Sequence, residues 1–475
     1  MLTIYAIIVI INKCRRYAMG YYSTSLEQEK VIRDPVHSHI YIQDQIIMDL
    51  INTKEFQRLR RIHQLGTTSQ TFPGAEHTRF THSLGVYEIV RRICNQFQRN
   101  YPTKTPGDGL WDDSERIVAE CAGLLHDIGH GAYSHTFEHI FHTNHEQITQ
   151  AIITNPETEV NQVLCKVGPN FPNRVASVIN KTYDNQQVVQ MISSQCDADR
   201  MDYLLRDSYF TGVQYGKFDL DRILQVMRPY QGGICFKMSG LHAIEYYIVS
   251  RFQMYLQVYF HPISRSMEVI LAHLLLRTKE LAESSTKLEN FNPTLLMPFL
   301  EGTFDPSRDL ETYLKLDDGV LNTYFSMWCD TPDSILSDLS NRFVNRKPFK
   351  SAIFTQETKD VLPKLRKLIE AAGFNPEYYT ATDNSYNQPY DVYNPESKHP
   401  NAQIELMQKD GSLVELSKAS LLVRTITGKD VGDSRFFFPK EMLQTDANVE
   451  LFKPIYDNFQ RYINNDTIIN LKENQ

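Results

Sequence analysis

The stretch Ala119-Glu-Cys-Ala-Gly-Leu-Leu-His-Asp-Ile-Gly-His-Gly-Ala-Tyr-Ser-His135 constrains this chain more than any other. It reads as an apolar helix, with Ile117, Cys121, Leu124 and Leu125 on its buried face, that runs out into adjacent His126 and Asp127. Packing alone does not call for that ending. A neutral imidazole beside a carboxylate can ligate one divalent ion, and the i,i+4 spacing predicts that His126 and His130 share a helix face.

The surrounding sequence concentrates the same chemistry. Eight of the 15 histidines fall between His77 and His145, and Gln195-Cys-Asp-Ala-Asp-Arg-Met-Asp-Tyr203 supplies a dense set of carboxylates, with Asp199 and Asp202 at i,i+3 on one face. Taken singly, a histidine such as His82 is more often a hydrogen-bonded packing residue. Taken together, His82 at one helix start, His126 and Asp127 at a helix end and Asp199 on a later helix form an N₂O₂ donor set. Such a set suits Mn, Fe, Zn, Ni or, less well, Mg, with positions left for water and substrate.

Composition excludes several alternatives. With 475 residues the chain exceeds one average core. Its formal charge of −8 provides no global basic field, so a nucleic-acid partner is not expected. The seven cysteines contain no CxxC pair, which argues for reduced thiols in a cytoplasmic protein and against a thiolate zinc site. The apolar run Leu2–Ile11 is about half of the ~20 residues a membrane span needs, and its basic residues follow it. No stable membrane association is therefore expected, and the natural start is expected near Met19.

Helical spacing recurs from Asp44 to about residue 330, interrupted near Thr53 and by the Pro102–Asp113 loop. Ser114 reads as the N-cap of the central helix, with Glu115 and Glu120 as acids in its first turns. Val31–Ile42 suggests a short strand or hairpin. Long helices are predicted over Gly240–Tyr259 and Ser264–Glu283. After Asp330 the pattern changes: Lys350–Gln356 and Glu377–Thr382 read as strands, Glu357–Ala372 as a helix closed by Gly373, and Gln403–Gln408 with Ser412–Ser417 as a hairpin. The expected architecture is mainly α: an extension at 1–29, a helical catalytic domain at 30–330, and a smaller α+β domain at 331–475.

The combination His82, His126-Asp127 and Asp199 resembles the HD superfamily of metal-dependent phosphohydrolases. Phe72-Pro-Gly-Ala-Glu-His-Thr-Arg-Phe-Thr-His-Ser-Leu-Gly85, Asn144-His-Glu-Gln147 and Asp199-Arg-Met-Asp-Tyr-Leu-Leu-Arg-Asp207 are similar to the deoxynucleoside triphosphate triphosphohydrolases. Within that group they resemble bacterial members akin to the catalytic core of the vertebrate sterile-alpha-motif and HD-domain dNTPase. The resemblance spans about Lys30 to Met267.

It implies water attack at the α-phosphorus of a dNTP, releasing a deoxynucleoside and inorganic triphosphate. His145 would protonate the leaving 5′-oxygen, Glu138 would support that imidazole, and His130 and His135 would line the pocket near the α-phosphate. Arg79, Arg200 and Arg251 fall at phosphate-contacting positions of the family. Tyr259 would stack on the base or close over the sugar, with Tyr203 beneath the ribose. Gln64, Leu65 and Asp207 would hold the 3′-hydroxyl and crowd the 2′ position.

Family members are regulated by nucleotides between the subunits of a homotetramer, and Lys30, Val31, Gln57 and Arg60 match a first regulatory site. Asn52 replaces an acid there and Pro262, after His261, replaces a phosphate-binding lysine at a second site, so weaker guanine reading and weaker activation are implied. Two other readings stand beside this one: an HD phosphohydrolase on an alarmone or cyclic nucleotide, and a non-catalytic nucleotide sensor. Against the first, Ile128-Gly-His130 stands where the alarmone enzymes carry two acids.

Overall fold

A computed structural model describes residues 25–284, 289, 291–387, 403–427, 431–444 and 451–471. The expectation of a start near Met19 lies outside the described residues.

Mainly α architecture is observed. An antiparallel hairpin, Ser25–Asp34 with Ser38–Asp44, leads into short helices at Gln45–Ile51 and Lys54–Arg58. The break between them is the expected one at Thr53, whose side chain caps the second helix. Three helices then frame the centre. Arg79–Asn100 buries Leu84, Ile89, Ile93 and Phe97, and packs against Arg116–Leu125 and Ala198–Thr211. Each of the last two carries or ends at a motif residue.

Several local expectations are corrected. Asp112, rather than Ser114, caps the turn that opens the central helix, its carboxylate accepting from the Ser114 amide. Glu120 is not a solvated first-turn acid; it is 1% exposed, and burial pushes its carboxyl up to about 8. The central helix stops at Leu125, so His126 and His130 are carried by a tight turn instead of one helix face. Pro376–Tyr379 is a short helix, with the strand beginning at Ala381. Asn375 caps that helix, which the alternation of aromatic residues concealed.

A hairpin at Met227–Tyr230 and Gly233–Lys237 was not anticipated. Pro229 is disfavoured in a central strand, but this strand lies at one edge of its sheet, where a missing amide is tolerated. Its partner Gly233–Lys237 pairs in parallel with Glu405–Met407, which forms the expected second hairpin with Leu413–Glu415. The two hairpins thus make one four-stranded sheet across a long sequence separation.

The remaining sheet has five strands, with Val431–Phe438 between Lys350–Ile353 and Ala381–Asn387. Alternation along Val431–Phe438 makes it a shared wall. Phe437 faces the main core, whereas Phe436 and Phe438 face a second cluster with Leu365, Ile369 and Phe459. Arg265, 2% exposed on the Pro262–Glu283 helix, reaches this sheet through Asp383 Oδ2 at 2.6 Å and Asp433 Oδ1 at 2.5 Å. No helix among the described residues is long and apolar enough to cross a membrane.

Candidate active site and metal centre

Three helix ends and starts bring the donor set together. His82 lies in the first turn of Arg79–Asn100 and is fully buried. His126 and Asp127 follow the C-terminus of Arg116–Leu125, and Asp199 lies in the first turn of Ala198–Thr211, which Asp197 caps. His82 Nε2 stands 3.1 Å from Asp199 Oδ1 and 3.7 Å from Asp127 Oδ2. His126 Nε2 stands 3.4 Å from Asp127 Oδ1 and 3.6 Å from Asp199 Oδ1. Those separations bring His82, His126 and Asp199 close enough for one ion to meet all three, with Asp127 beside them.

Tautomers support the same fit. The His126 Nδ1–H donates to the Gly123 carbonyl at 2.9 Å, leaving a buried Nε2 with no hydrogen-bond partner. The His82 Nδ1–H donates to Asp202 at 2.8 Å, again directing Nε2 at the cluster. A carboxylate or carbonyl behind each imidazole is the usual support of a metal-ligating histidine. Electrostatics agree. Burial opposes charge on His82, but hydrogen bonds to Asp199 and Asp202 and the attraction of Asp127 outweigh it and raise the imidazole to about 10. Burial would raise Asp199, yet the His126 and His82 imidazoles hold it below the carboxylate range. The site favours a cation between its carboxylates. His82, His126, Asp127 and Asp199 therefore suit a divalent ion.

Beside this cluster, a second group meets over the turn. Gly129 permits the approach: a Cβ there would lie 2.3 Å from the His145 carbonyl oxygen and 2.4 Å from the Thr149 amide nitrogen. His145 opens the His145–Thr154 helix, capped by Asn144, and its ring stacks on that of His130 at 3.8 Å between centroids. The His145 Nδ1 and backbone N–H contact Glu138 Oε1 at 2.8 and 3.0 Å. Burial and the nearby Arg79 guanidinium push His130 well below the ordinary histidine range, so that ring is neutral. The side chain of His135 lies outside the described residues.

Arg79 donates to Asp127, and its Nε and Nη2 bond Ser134 Oγ at 3.0 and 2.8 Å. A cavity of about 470 Å³ opens beside this group. Gln64, Leu65, Arg79, Asp127, His130, His145, Asp199, Tyr203, Asp207 and Tyr259 all line it. Asp207 is fixed by His77 Nε2 and by the Tyr259 hydroxyl, each at 2.7 Å. Tyr259 ends a wider π-type turn, Tyr255–Tyr259, that follows the Leu241–Met254 helix.

Arg200 and Arg251 do not line that cavity. Arg200 Nη1 bonds its own helix cap, Asp197 Oδ2, at 2.5 Å, and Arg251 Nη1 bonds Gln195 Oε1 at 2.8 Å. Lys30, Val31 and Asn52 are exposed on the outer surface. Arg60 lies 3.6 Å from the Phe80 ring centroid and bonds Gln57 at 2.8 Å. Sequence reasoning missed Tyr133, Ser134, Tyr255 and Glu268 as cavity residues and Asp202 as the support of His82. Only Asp202 carried a signal, its i,i+3 relation to Asp199.

With fold and site in place, the chain belongs to the HD-domain family of phosphohydrolases: the HD domain model matches residues 79–207 and the HD associated region residues 218–300. The uncharacterised protein YwfO of Bacillus subtilis is 49% identical over 426 residues, covering 90% of this chain and 95% of its own length. A deoxynucleoside triphosphate triphosphohydrolase SAMHD1 homolog of Dictyostelium discoideum is 26% identical over 373 residues, covering 71% of this chain and 68% of its own. The crystal structure of a phosphohydrolase from Bacteroides thetaiotaomicron aligns with a TM-score of 0.72 at 29% identity, covering 86% of this chain and all (100%) of that one.

Proposed function

We propose that the protein hydrolyses dNTPs to a deoxynucleoside and inorganic triphosphate, as a homotetramer regulated by nucleotides near Lys30, Val31, Asn52, Gln57 and Arg60. One observation carries the reading: a single cavity is lined by the donors Asp127 and Asp199 with Arg79 and His145, and also by Gln64, Leu65, Asp207 and Tyr259. Those are the kinds of group that a triphosphate joined to a deoxyribose would meet.

A divalent ion, Mn, Fe, Zn, Ni or Mg, held by His82, His126, Asp127 and Asp199 would supply Lewis acidity at the α-phosphate. His145 would place its Nε2–H on the departing 5′-oxygen, which leaves poorly as an alkoxide. Glu138, bonded to Nδ1, fixes the orientation of the ring. Neutral His130 beneath it adds no competing positive charge. Arg79, held by Ser134, would meet a non-bridging oxygen. Asp207 accepts from Tyr259 and keeps a lone pair for a 3′-hydroxyl. The buried Gln64 Oε1 has no partner of its own and would take another polar group of the sugar. Leu65 would narrow the space at C2′.

The test is anion-exchange analysis of each dNTP incubated with the protein and Mn²⁺, alone and in pairwise nucleotide mixtures. Intact triphosphate with deoxynucleoside is the expected outcome. Monophosphate with pyrophosphate, or turnover of an alarmone or cyclic nucleotide in place of any dNTP, would refute the reading.

A further inference from the structure

Behind His82 lies a buried polar network that the proposed chemistry leaves unused. Asp202, fully buried on the Ala198–Thr211 helix, accepts from the His82 Nδ1–H through Oδ2. Its Oδ1 meets His37 Nε2 at 2.6 Å, and Arg206 bridges both oxygens from 2.8 and 2.9 Å. Arg206 in turn bonds Asp34 Oδ2 at 2.8 Å and Oδ1 at 3.3 Å. Asp34 Oδ1 also accepts the Val36 and His37 amides at 2.9 Å each. Asp34 and His37 belong to the turn of the N-terminal hairpin, more than 160 residues from Asp202 in sequence, and the His37 side chain is 2% exposed.

The close approach depends on Gly85, one turn after His82. A Cβ at that position would lie 1.9 Å from Asp202 Oδ1 and 2.5 Å from Arg206 Nη2. The helix is therefore opened at one residue so that the carboxylate and guanidinium can reach the histidine's far side.

We infer that the Asp34–Ser38 turn is a positioning element for the metal centre: His37 and Asp34 hold Asp202 and Arg206 so that His82 Nε2 points at the ion. The inference rests on the metal-centre reading above. Removing His37 takes away the shorter of the two contacts on Asp202 Oδ1, leaving Arg206 Nη2 alone on that oxygen and the carboxylate less firmly aimed at His82. Loss of such an outer partner costs about 10–100-fold in metal affinity. Linkage makes the relation reciprocal, so ion binding stabilises the hairpin, and anything seated on the exposed Ser25–Asp34 strand shares free energy with ligation of the ion.

The experiment uses the full chain stripped of metal and titrated with Mn²⁺, with Mn²⁺ affinity measured by equilibrium dialysis and amide exchange followed over residues 25–44. Mn²⁺ should slow exchange in the hairpin of the unmodified protein. His37→Leu should weaken Mn²⁺ binding by about 10–100-fold and abolish that slowing, whereas His37→Gln, which restores a donor, should stay within about threefold. Asp34→Asn, which keeps the size and one acceptor, should fall between them if His37→Leu does not fold. Unchanged affinity in both His37→Leu and Asp34→Asn, or hairpin exchange indifferent to Mn²⁺, would overturn the inference while leaving the metal centre intact. Failure of the unmodified protein to bind Mn²⁺ would overturn both.

Discussion

The two ends of the cavity are built differently. At the metal end three of the four donors are backed by another group: His82 by Asp202, His126 by the Gly123 carbonyl, Asp127 by Arg79. At the end proposed for the nucleoside, Gln64, Leu65, Tyr203 and Tyr255 are half-buried, and the buried Gln64 Oε1 is unpartnered. The metal end pays its desolvation through fixed partners and so is preorganised; the other end leaves polar capacity for a ligand to satisfy. The difference teaches where strictness is to be expected. Chemistry should be intolerant of change, and the nucleoside contacts should be graded.

The largest expected effect lies at the metal end. His126→Ala with Asp127→Ala should abolish both hydrolysis and bound metal, measured by product analysis and elemental content, while the circular dichroism of the helical core is retained. Retained turnover would remove the contrast between the two ends.

His145→Ala should keep the metal but slow turnover by about 10²–10⁴, the usual worth of a positioned acid. A loss below tenfold would assign the proton to another group. At the nucleoside end, Tyr259→Phe removes one hydroxyl from the Asp207 carboxylate. A hydrogen bond to a charged group contributes about 1.5–3 kcal/mol, so kcat/KM should fall by roughly 10–100-fold. An effect as large as that of His145→Ala would mean that the nucleoside end is as strictly built as the metal end.

The smallest effect concerns stability alone. Glu120 lies on the helix that delivers His126, with Oε2 buried and unpartnered, and burial raises its carboxyl to about 8. The folded protein thus holds a proton that the unfolded chain releases near the ordinary value of 4.5. Stability from this group is complete below about pH 4.5 and is lost as pH rises through 8. Glu120→Gln should flatten that slope and raise Tm at pH 8 by about 1 °C or more, equivalent to about 1 kcal/mol. An unchanged pH dependence of melting would show that Glu120 ionises in the fold.

Much of the metal end was legible in the sequence because its residues sit in long motifs next to strong helix signals. His82, His126 and Asp199 could be grouped by residue type alone. The role of Asp202 was half legible, since its spacing from Asp199 showed a shared face but not that His82 lay opposite. His37 and Asp34 carried no signal, because their partners arrive only when the hairpin folds onto a distant helix. The Met227–Lys237 hairpin was hidden by Pro229, and its pairing with Glu405–Met407 depends on contacts no local pattern records. The His126–His130 turn was misread as helical because apolar periodicity continues past Leu125, where Gly129 instead packs against the His145–Thr154 helix.

The central claim is attack at the α-phosphorus with the 5′-oxygen leaving, and hydrolysis of a dNTP in ¹⁸O-labelled water tests it most directly. The account predicts one labelled oxygen in the released triphosphate and none in the deoxynucleoside. Label in the deoxynucleoside, or in a nucleoside monophosphate released with pyrophosphate, would contradict it.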